Sequence, residues 1–438
     1  MFQRKLIVVL SGVALLALTA GSSQASLSRV EGMGLSSPLT SQFTDDYANI
    51  YYYPTSVVRQ NNLVLAELGQ NDPDGTVNPA SFGNRSYTVI RNFPRLGVIA
   101  FQMKQSALNA TTASSNLNNE QLDAIWGKGF ANFDFAVRLD ITNSYWEESN
   151  NAPSGFKARG IDAFSFDPYP FGGFFGEDLI VGSGIEINTW GISPSIALHM
   201  KNDDRLEGVV SYRRYTLNRS ETPAPGEKWE DGGNASYAVG ARAIMHRGGT
   251  HTWYPAAWYV NDDLSWEVTG VTASAVSADE TYKNYGAGLS DNMRVNDNNL
   301  LLWGVVVSQA KHSYERTDNN GGAPAPGVTK TFEEKTTAVP LVFAAIETDA
   351  TKWLKLRIGA SRGHMMFKSD FSDFAATSNT EAIKSRTSEF NMSIGSGIRW
   401  NNLDIDMVIN DQFPLTGGWI MSGNERAPFN RVSATYHF

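Results

Sequence analysis

Residues 429–438 read FNRVSATYHF, and they constrain the fold more than any other stretch. Val432, Ala434, Tyr436 and Phe438 fall on one face of an extended strand. Arg431, Ser433, Thr435 and His437 fall on the other, because successive side chains of a strand point to opposite sides. One apolar face, one polar face and an aromatic at the final position suit a strand that meets lipid outside and a polar lumen inside.

The other end of the sequence agrees. Arg4 and Lys5 form a basic start, residues 6–20 are apolar, and Ser23-Gln24-Ala25 fits a small-x-small cleavage site. This pattern predicts a secretory signal over residues 1–25 and a mature chain from Ser26. No later stretch approaches eighteen continuous apolar residues. A membrane span must then be β, since only helices and closed barrels satisfy every backbone group in lipid.

Composition narrows the classes. There is no cysteine, so a disulfide framework, a cysteine-ligated metal and a thiol nucleophile are excluded. Net charge is −9, and loss of the +2 on Arg4 and Lys5 leaves −11, which argues against nucleic-acid binding. Mean hydropathy is −0.28. That value is far too low for a helical membrane protein and acceptable for a barrel, which hides its lipid face in every second residue. A secreted soluble β protein fits the composition equally well; the alternation favours the barrel.

Phe133, Phe135, Val137, Leu139 and Ile141 alternate with Asp134, Ala136, Arg138, Asp140 and Thr142. The pattern recurs in 354–360, where Lys355 and Arg357 take the polar face, in 390–400, with Arg399, and in 403–410, with Asp404 and Asp406. Charges on the inner face avoid the roughly 2–4 kcal/mol cost of a charge at the bilayer midplane. Asn401-Asn402, Asn202-Asp203-Asp204, Asn261-Asp262-Asp263 and 348–351 read as tight turns. Long polar stretches at 219–233, 318–330, 368–386 and 411–428 read as extracellular loops. Residues 117–126 read as a short loop helix capped by Asn116 or Asn118, and 274–299 reads as one strand or none. The count settles on about fourteen antiparallel strands over residues 61–438. Residues 26–60 precede them. They are irregular and rich in aromatics (Phe43, Tyr47, Ile50, Tyr51, Tyr52, Tyr53), a composition expected of a plug inside the barrel, where Asp45, Asp46 and Pro54 also lie.

Candidate chemistry is sparse. The six histidines show no metal-binding spacing; His246 and His251 flank a Gly-Gly turn and are weighed as a shared metal site against solvated loop histidines. No local hydrolase motif is present, although such sites are assembled in space. Asp72-Pro73-Asp74-Gly75 is weighed as a calcium turn against an ordinary turn. Phe164, Phe166, Phe171, Phe174 and Phe175 form either an entrance for an apolar ligand or an interfacial aromatic girdle. The inner-face charges Asp134, Arg138, Asp140, Lys355, Arg357, Arg399, Asp404 and Asp406 carry mixed sign. They either line a hydrated path or pair with one another and with the plug.

The run Gly32-Met33-Gly34-Leu35 followed by Asp45-Asp46-Tyr47-Ala48-Asn49-Ile50-Tyr51-Tyr52-Tyr53-Pro54-Thr55 resembles the N-terminus of the FadL long-chain fatty acid transporter family and its PorV-like relatives. The departure is Tyr53-Pro54-Thr55 in place of Asn-Pro-Ala. The resemblance implies a monomeric fourteen-stranded barrel with an N-terminal hatch, and transport of hydrophobic compounds or, in the PorV-like branch, a role in secretion. The C-terminal strand resembles the signal with which bacterial outer-membrane barrels end. Together these give the expectation of a Gram-negative outer-membrane protein for passive, hatch-gated uptake of small hydrophobic molecules. The alternatives are a non-transporting scaffold or a general diffusion porin. No enzyme activity and no cofactor are expected. The expected partners are outer-membrane lipid, the outer-membrane assembly machinery and a small hydrophobic ligand, with no nucleic acid.

Overall fold

The computed structural model describes residues 26–35, 38–60, 62–69, 85–107, 118–146, 185–219, 228–231, 234–269, 275–319, 328–373, 379–409 and 429–438. Among them are seventeen strands. The first seven are β1 (Leu63–Gly69), β2 (Arg85–Phe93), β3 (Gly97–Ala107), β4 (Asn118–Gly129), β5 (Phe133–Trp146), β6 (Ile185–His199) and β7 (Arg205–Arg219). Next come β8 (Lys228–Asp231), β9 (Ala235–Arg247), β10 (His251–Thr269), β11 (Ala275–Asn296) and β12 (Asn299–Asn319). The last five are β13 (Val328–Asp349), β14 (Leu354–Asp373), β15 (Asn379–Trp400), β16 (Leu403–Ile409) and β17 (Phe429–His437).

Apart from β8, each strand pairs antiparallel with the next along the chain, β7 pairing with β9, and β1 pairs with β17 in the register Leu63↔His437 to Gly69↔Arg431. The sheet therefore closes on itself and has no edge. β8 and β9 both lie against β10, with Asp231 opposite Trp266 and Ala235 opposite Asp263. They occupy one wall position, so the barrel has sixteen rather than about fourteen.

The two faces separate as lipid requires. On β5, Asp134, Arg138 and Asp140 are buried inside, while Leu139 (51% exposed) and Ile141 (59%) point out. On β17, Arg431, Ser433 and Thr435 are buried and Tyr436 and Phe438 are exposed. Phe93, Phe130, Phe133, Trp353, Trp400, Tyr436 and Phe438 are exposed near the short-turn rim, as an interfacial aromatic girdle would be. At that rim Asn202 (φ 62), Asp203 (φ 61) and Asn401 (φ 54) take the left-handed conformation that tight turns need.

Several sequence expectations are corrected. Residues 118–129 form β4, not a helix: Leu122 and Trp126 point out, and Ile125, 2% exposed, points in. The apolar inner position at Ile125 produced a helix-like spacing. It is apolar because it packs against Tyr47, Ile50 and Val57 of the N-terminal segment. Asn261, Asp262 and Asp263 lie inside β10 and form no turn; Asp262 is buried and accepts a hydrogen bond from the Ser236 hydroxyl. Residues 275–296 are one strand, β11, whose inward Gly286 and Gly288 leave room for Trp258 and Phe43. The stretches read as loops at 219–233, 318–330 and 368–386 are partly strand. β10 to β15 run for 19 to 22 residues, about twice the 9–11 that span a bilayer. Beyond the lipid both faces meet water, so period two disappears while the hydrogen-bonded ladder continues. Residues 72–75, 164–175 and 411–428 lie outside the described residues.

Candidate functional site

The described N-terminal segment lies against the inner wall. Ser26 caps the helix Leu27–Gly32, its Oγ accepting from Arg29 N at 3.3 Å. Asp46 caps the short 3-10 turn Tyr47–Tyr51 by accepting from Ala48 N at 3.2 Å. A second such turn, Pro54–Arg59, starts on the proline, whose missing N–H costs nothing at that position. On the longer strands the wall residues it touches include Gly127 on β4, Ser195 on β6, Arg242 on β9, Glu347 on β13 and Gly395 on β15, which lie in the half of their strands nearest the short turns.

Two glycine contacts set how close the segment comes. A Cβ on Gly359 would stand 1.8 Å from Met33 O, and one on Gly395 would stand 2.8 Å from Gly32 Cα. Backbone meets backbone here, and no side chain fits between.

Three groups of ion pairs surround the segment. In the first, Arg29 makes a two-point contact with Glu347 (Nε–Oε2 2.8 Å, Nη2–Oε1 3.0 Å) and reaches Asp46 at 3.5 Å. Arg357 joins Glu347 (2.6 Å) to Asp406 (2.8 Å), and Arg431 binds Glu31 at 2.8 Å. In the second, fully buried Arg242 binds Glu207 at 2.6 Å, donates to the carbonyls of Gln42 and Thr44 and to Ser56 Oγ, and lies 4.5 Å from the centre of the Tyr53 ring. Arg59 bridges Asp45 and Glu207, and Arg205 bridges Glu207 and Asp134. In the third, Arg138 binds Asp123 at 2.7 Å and donates to Tyr51 O at 3.1 Å, while Arg213 binds Asp140 at 2.7 Å. The Tyr51 hydroxyl lies 2.9 Å from Thr88 Oγ1. Between these groups Phe43 stacks on Phe343, with centroids 5.6 Å apart.

Electrostatics within the segment differ between neighbours. Burial pushes the Asp46 carboxyl well above the usual carboxylate range, against the pull of Arg29. Asp45 is also enclosed by the wall, which raises it, but Arg59 and Arg242 outweigh this and hold it below that range. Its side chain keeps 39% of its surface open to the lumen. Burial raises the hydroxyls of Tyr47, Tyr51 and Tyr53, so all three stay neutral, with Tyr47 donating to Glu67 and Tyr53 to Gln42 Oε1.

The residues singled out in the sequence are thus placed as follows. Asp45, Asp46, Tyr51, Tyr52, Tyr53 and Pro54 lie on the segment, and Asp45 alone of these is exposed. Asp134, Arg138, Asp140, Arg357 and Asp406 are buried on the inner wall beside it. Lys355 pairs with Asp349 (2.9 Å), and Arg399 with Asp404 (2.9 Å), nearer the rim. His246 and His251 do not converge: His246 faces Asp204 at 3.7 Å and His251 faces Asp291 at 2.8 Å. No group of three or more metal-ligating side chains occurs among the described residues. The Phe164–Phe175 cluster lies outside them. Arg29, Arg59, Glu67, Asp123, Glu207, Arg213, Arg242 and Glu347 were missed. Inward parity marks the strand members of this group, but their partners come from distant strands.

No protein-family model matches this sequence, and no curated protein does. Solved structures with a similar fold include the siderophore receptor PiuA from Acinetobacter baumannii, at 11% identity and TM-score 0.42, covering 70% of this chain and 53% of that one. They also include the ferric-catecholate import receptor Fiu from E. coli K12, at 8% identity and TM-score 0.35, covering 86% and 82%. A third is the alcaligin outer-membrane receptor FauA from Bordetella pertussis, at 8% identity and TM-score 0.34, covering 85% and 74%. The chain spans about half the length of PiuA.

A closed antiparallel sheet with an apolar outer face and a charged inner face is the form of a Gram-negative outer-membrane β-barrel. The expected passive, hatch-gated uptake of small hydrophobic molecules is corrected by the lining of the lumen, where buried charged side chains from both wall and segment meet. The wall around the segment is studded with guanidinium–carboxylate pairs, a poor surface for an apolar solute to cross, since such groups are costly to strip of their partners.

Proposed function

We propose that residues 26–60 plug the short-turn, periplasmic end of a transport barrel, and that passage of solute requires the ion pairs between plug and wall to open. The observation that carries this is the Arg29–Glu347 contact, reinforced by Arg357: it ties segment to wall through two hydrogen bonds between charges, the strongest common class. The cargo suited to this lining bears polar or charged groups, because such groups can replace the partners that each guanidinium gives up. The FadL-like start of the chain supports the plug through that family's internal hatch and says nothing of the cargo here. In this reading the mature chain is a monomer, inserted by the outer-membrane assembly machinery that its last strand addresses.

A second reading, a permanently closed scaffold of the PorV-like kind, is favoured by the number of buried pairs holding the segment. Single-channel conductance of the refolded protein, with and without residues 26–60, tests the plug. A silent full-length barrel that conducts once truncated supports it, and free conduction by the full-length protein overturns it. Conductance steps in the full-length protein after Glu347→Gln separate a plug that can open from a fixed scaffold, which stays silent.

A further inference from the structure

Ser26 is fully buried. Its hydroxyl donates to Asp406 Oδ2 at 2.9 Å, and the next amide, Leu27 N, donates to Glu67 Oε1 at 2.8 Å. The nitrogen of Ser26 is one residue upstream of that amide, so both carboxylates stand within a few ångströms of whatever it carries, roughly one Cα–Cα step of 3.8 Å.

The surroundings are short of positive charge. Leaving aside Asp46, whose carboxyl burial pushes toward its neutral form, Glu31, Glu67, Glu347 and Asp406 meet Arg29, Arg357 and Arg431 among the described residues, and Lys355 is held mainly by Asp349 (2.9 Å, against 4.0 Å to Glu347). Glu67 is buried and receives hydrogen bonds from Leu27 N, the Tyr47 hydroxyl and the Ser86 hydroxyl. Buried carboxylates of this kind call for a further cation.

We infer that Asp406 and Glu67 form a binding site for a primary ammonium, and that its ligand is the chain's own α-ammonium at Ser26. The inference rests on the plug reading and on removal of residues 1–25. Hydrolysis of the Ala25–Ser26 peptide bond gives water's hydroxyl to the Ala25 carboxyl and leaves the amine on Ser26, protonated below its pKa. Before cleavage that nitrogen is an uncharged amide, and twenty-five further residues must leave a buried position. Processing therefore supplies the missing charge and clears the space together, so the plug seats after the signal is removed.

The test uses the mature protein purified from outer membranes. Intact mass fixes the N-terminal residue, and acetic anhydride, quantified on the N-terminal peptide, gives the acylation rate of the α-amine against pH. A free α-amine titrates near 8. The expected result is a start at Ser26 and a midpoint raised by at least one unit, so that native acylation at pH 8 is at least about fivefold slower than the protonation of an ordinary amine allows. The midpoint should return to its ordinary value in an Asp406→Asn/Glu67→Gln variant whose barrel stays folded by unheated gel mobility. Burial alone slows every rate and moves the midpoint down rather than up. A mature start elsewhere, or an unshifted midpoint in the wild type, overturns the inference. A silent channel with an unshifted midpoint removes the ammonium site and keeps the plug; a conducting channel with a shifted midpoint removes the plug and keeps the site.

Discussion

Arg29 and Glu347 stand 318 positions apart in the chain and meet through two charged hydrogen bonds of 2.8 and 3.0 Å, both side chains nearly buried. Glu347 also receives Arg357 at 2.6 Å, so one wall carboxylate serves a guanidinium of the wall and a guanidinium of the segment. Removing Arg29 leaves Glu347 held by Arg357, whereas removing Glu347 takes a partner from two buried cations at once, leaving Arg357 with Asp406 and Arg29 with Asp46 at 3.5 Å.

That asymmetry orders two variants. Breaking a buried pair from one side costs about 3–5 kcal/mol. Glu347→Ala is expected near that figure and Arg29→Ala well below it, with both raising channel opening. Residues 26–60 should become susceptible to protease in the same order, while the barrel keeps its unheated gel mobility.

Gly359 gives a test that leaves every charge in place. A Cβ there meets Met33 O, so Gly359→Ala should push the segment off the wall. The strand itself is expected to tolerate the change, since glycine weakens strand interiors. Increased conductance with an unchanged barrel melting temperature is the expected outcome; a silent channel would show that the backbones are not in contact.

Asp45 and Asp46 predict docking that weakens in both directions of pH. The Asp45 carboxyl lies below its ordinary value when docked, so its contribution is present above about 3.9 and is lost as pH falls through its docked pKa. Asp46 lies above its ordinary value, so its proton favours docking below that range, and this contribution is lost as pH rises through the docked pKa. Protease susceptibility of the segment against pH should lose its acid limb in Asp45→Asn and its upper limb in Asp46→Asn.

On the outer face, Leu139→Arg places a charge where a half-exposed leucine points away from the lumen. It should cost the barrel about 2–4 kcal/mol if the site is near the midplane, read by urea unfolding in lipid vesicles, with no effect on the segment's docking in the folded fraction.

Much of the wall was legible in the sequence because lipid imposes a local rule. Within the bilayer each strand must alternate, and β5, β14, β16 and β17 do so residue by residue. The rule lapses above the lipid, so the polar ends of β13, β14 and β15 read as loops in the sequence. It also lapses where the segment covers the wall, as at Ile125, Gly286 and Gly288, whose small or apolar inward side chains break the pattern. That shortfall of visible strands is why the sequence shows about fourteen and the barrel has sixteen.

The aromatic content of residues 26–60 marked them as unable to stay in water, and the inward parity of Arg138, Arg357 and Asp406 marked those side chains as lumenal. Which charge meets which was decided only in three dimensions. Arg242 finds Glu207 across β7 and β9, and Glu347 gathers Arg29 and Arg357 from opposite ends of the chain. Alternation is a property of neighbouring residues, which the sequence displays directly. Pairing across a closed sheet depends on register and closure, and these bring together positions hundreds of residues apart.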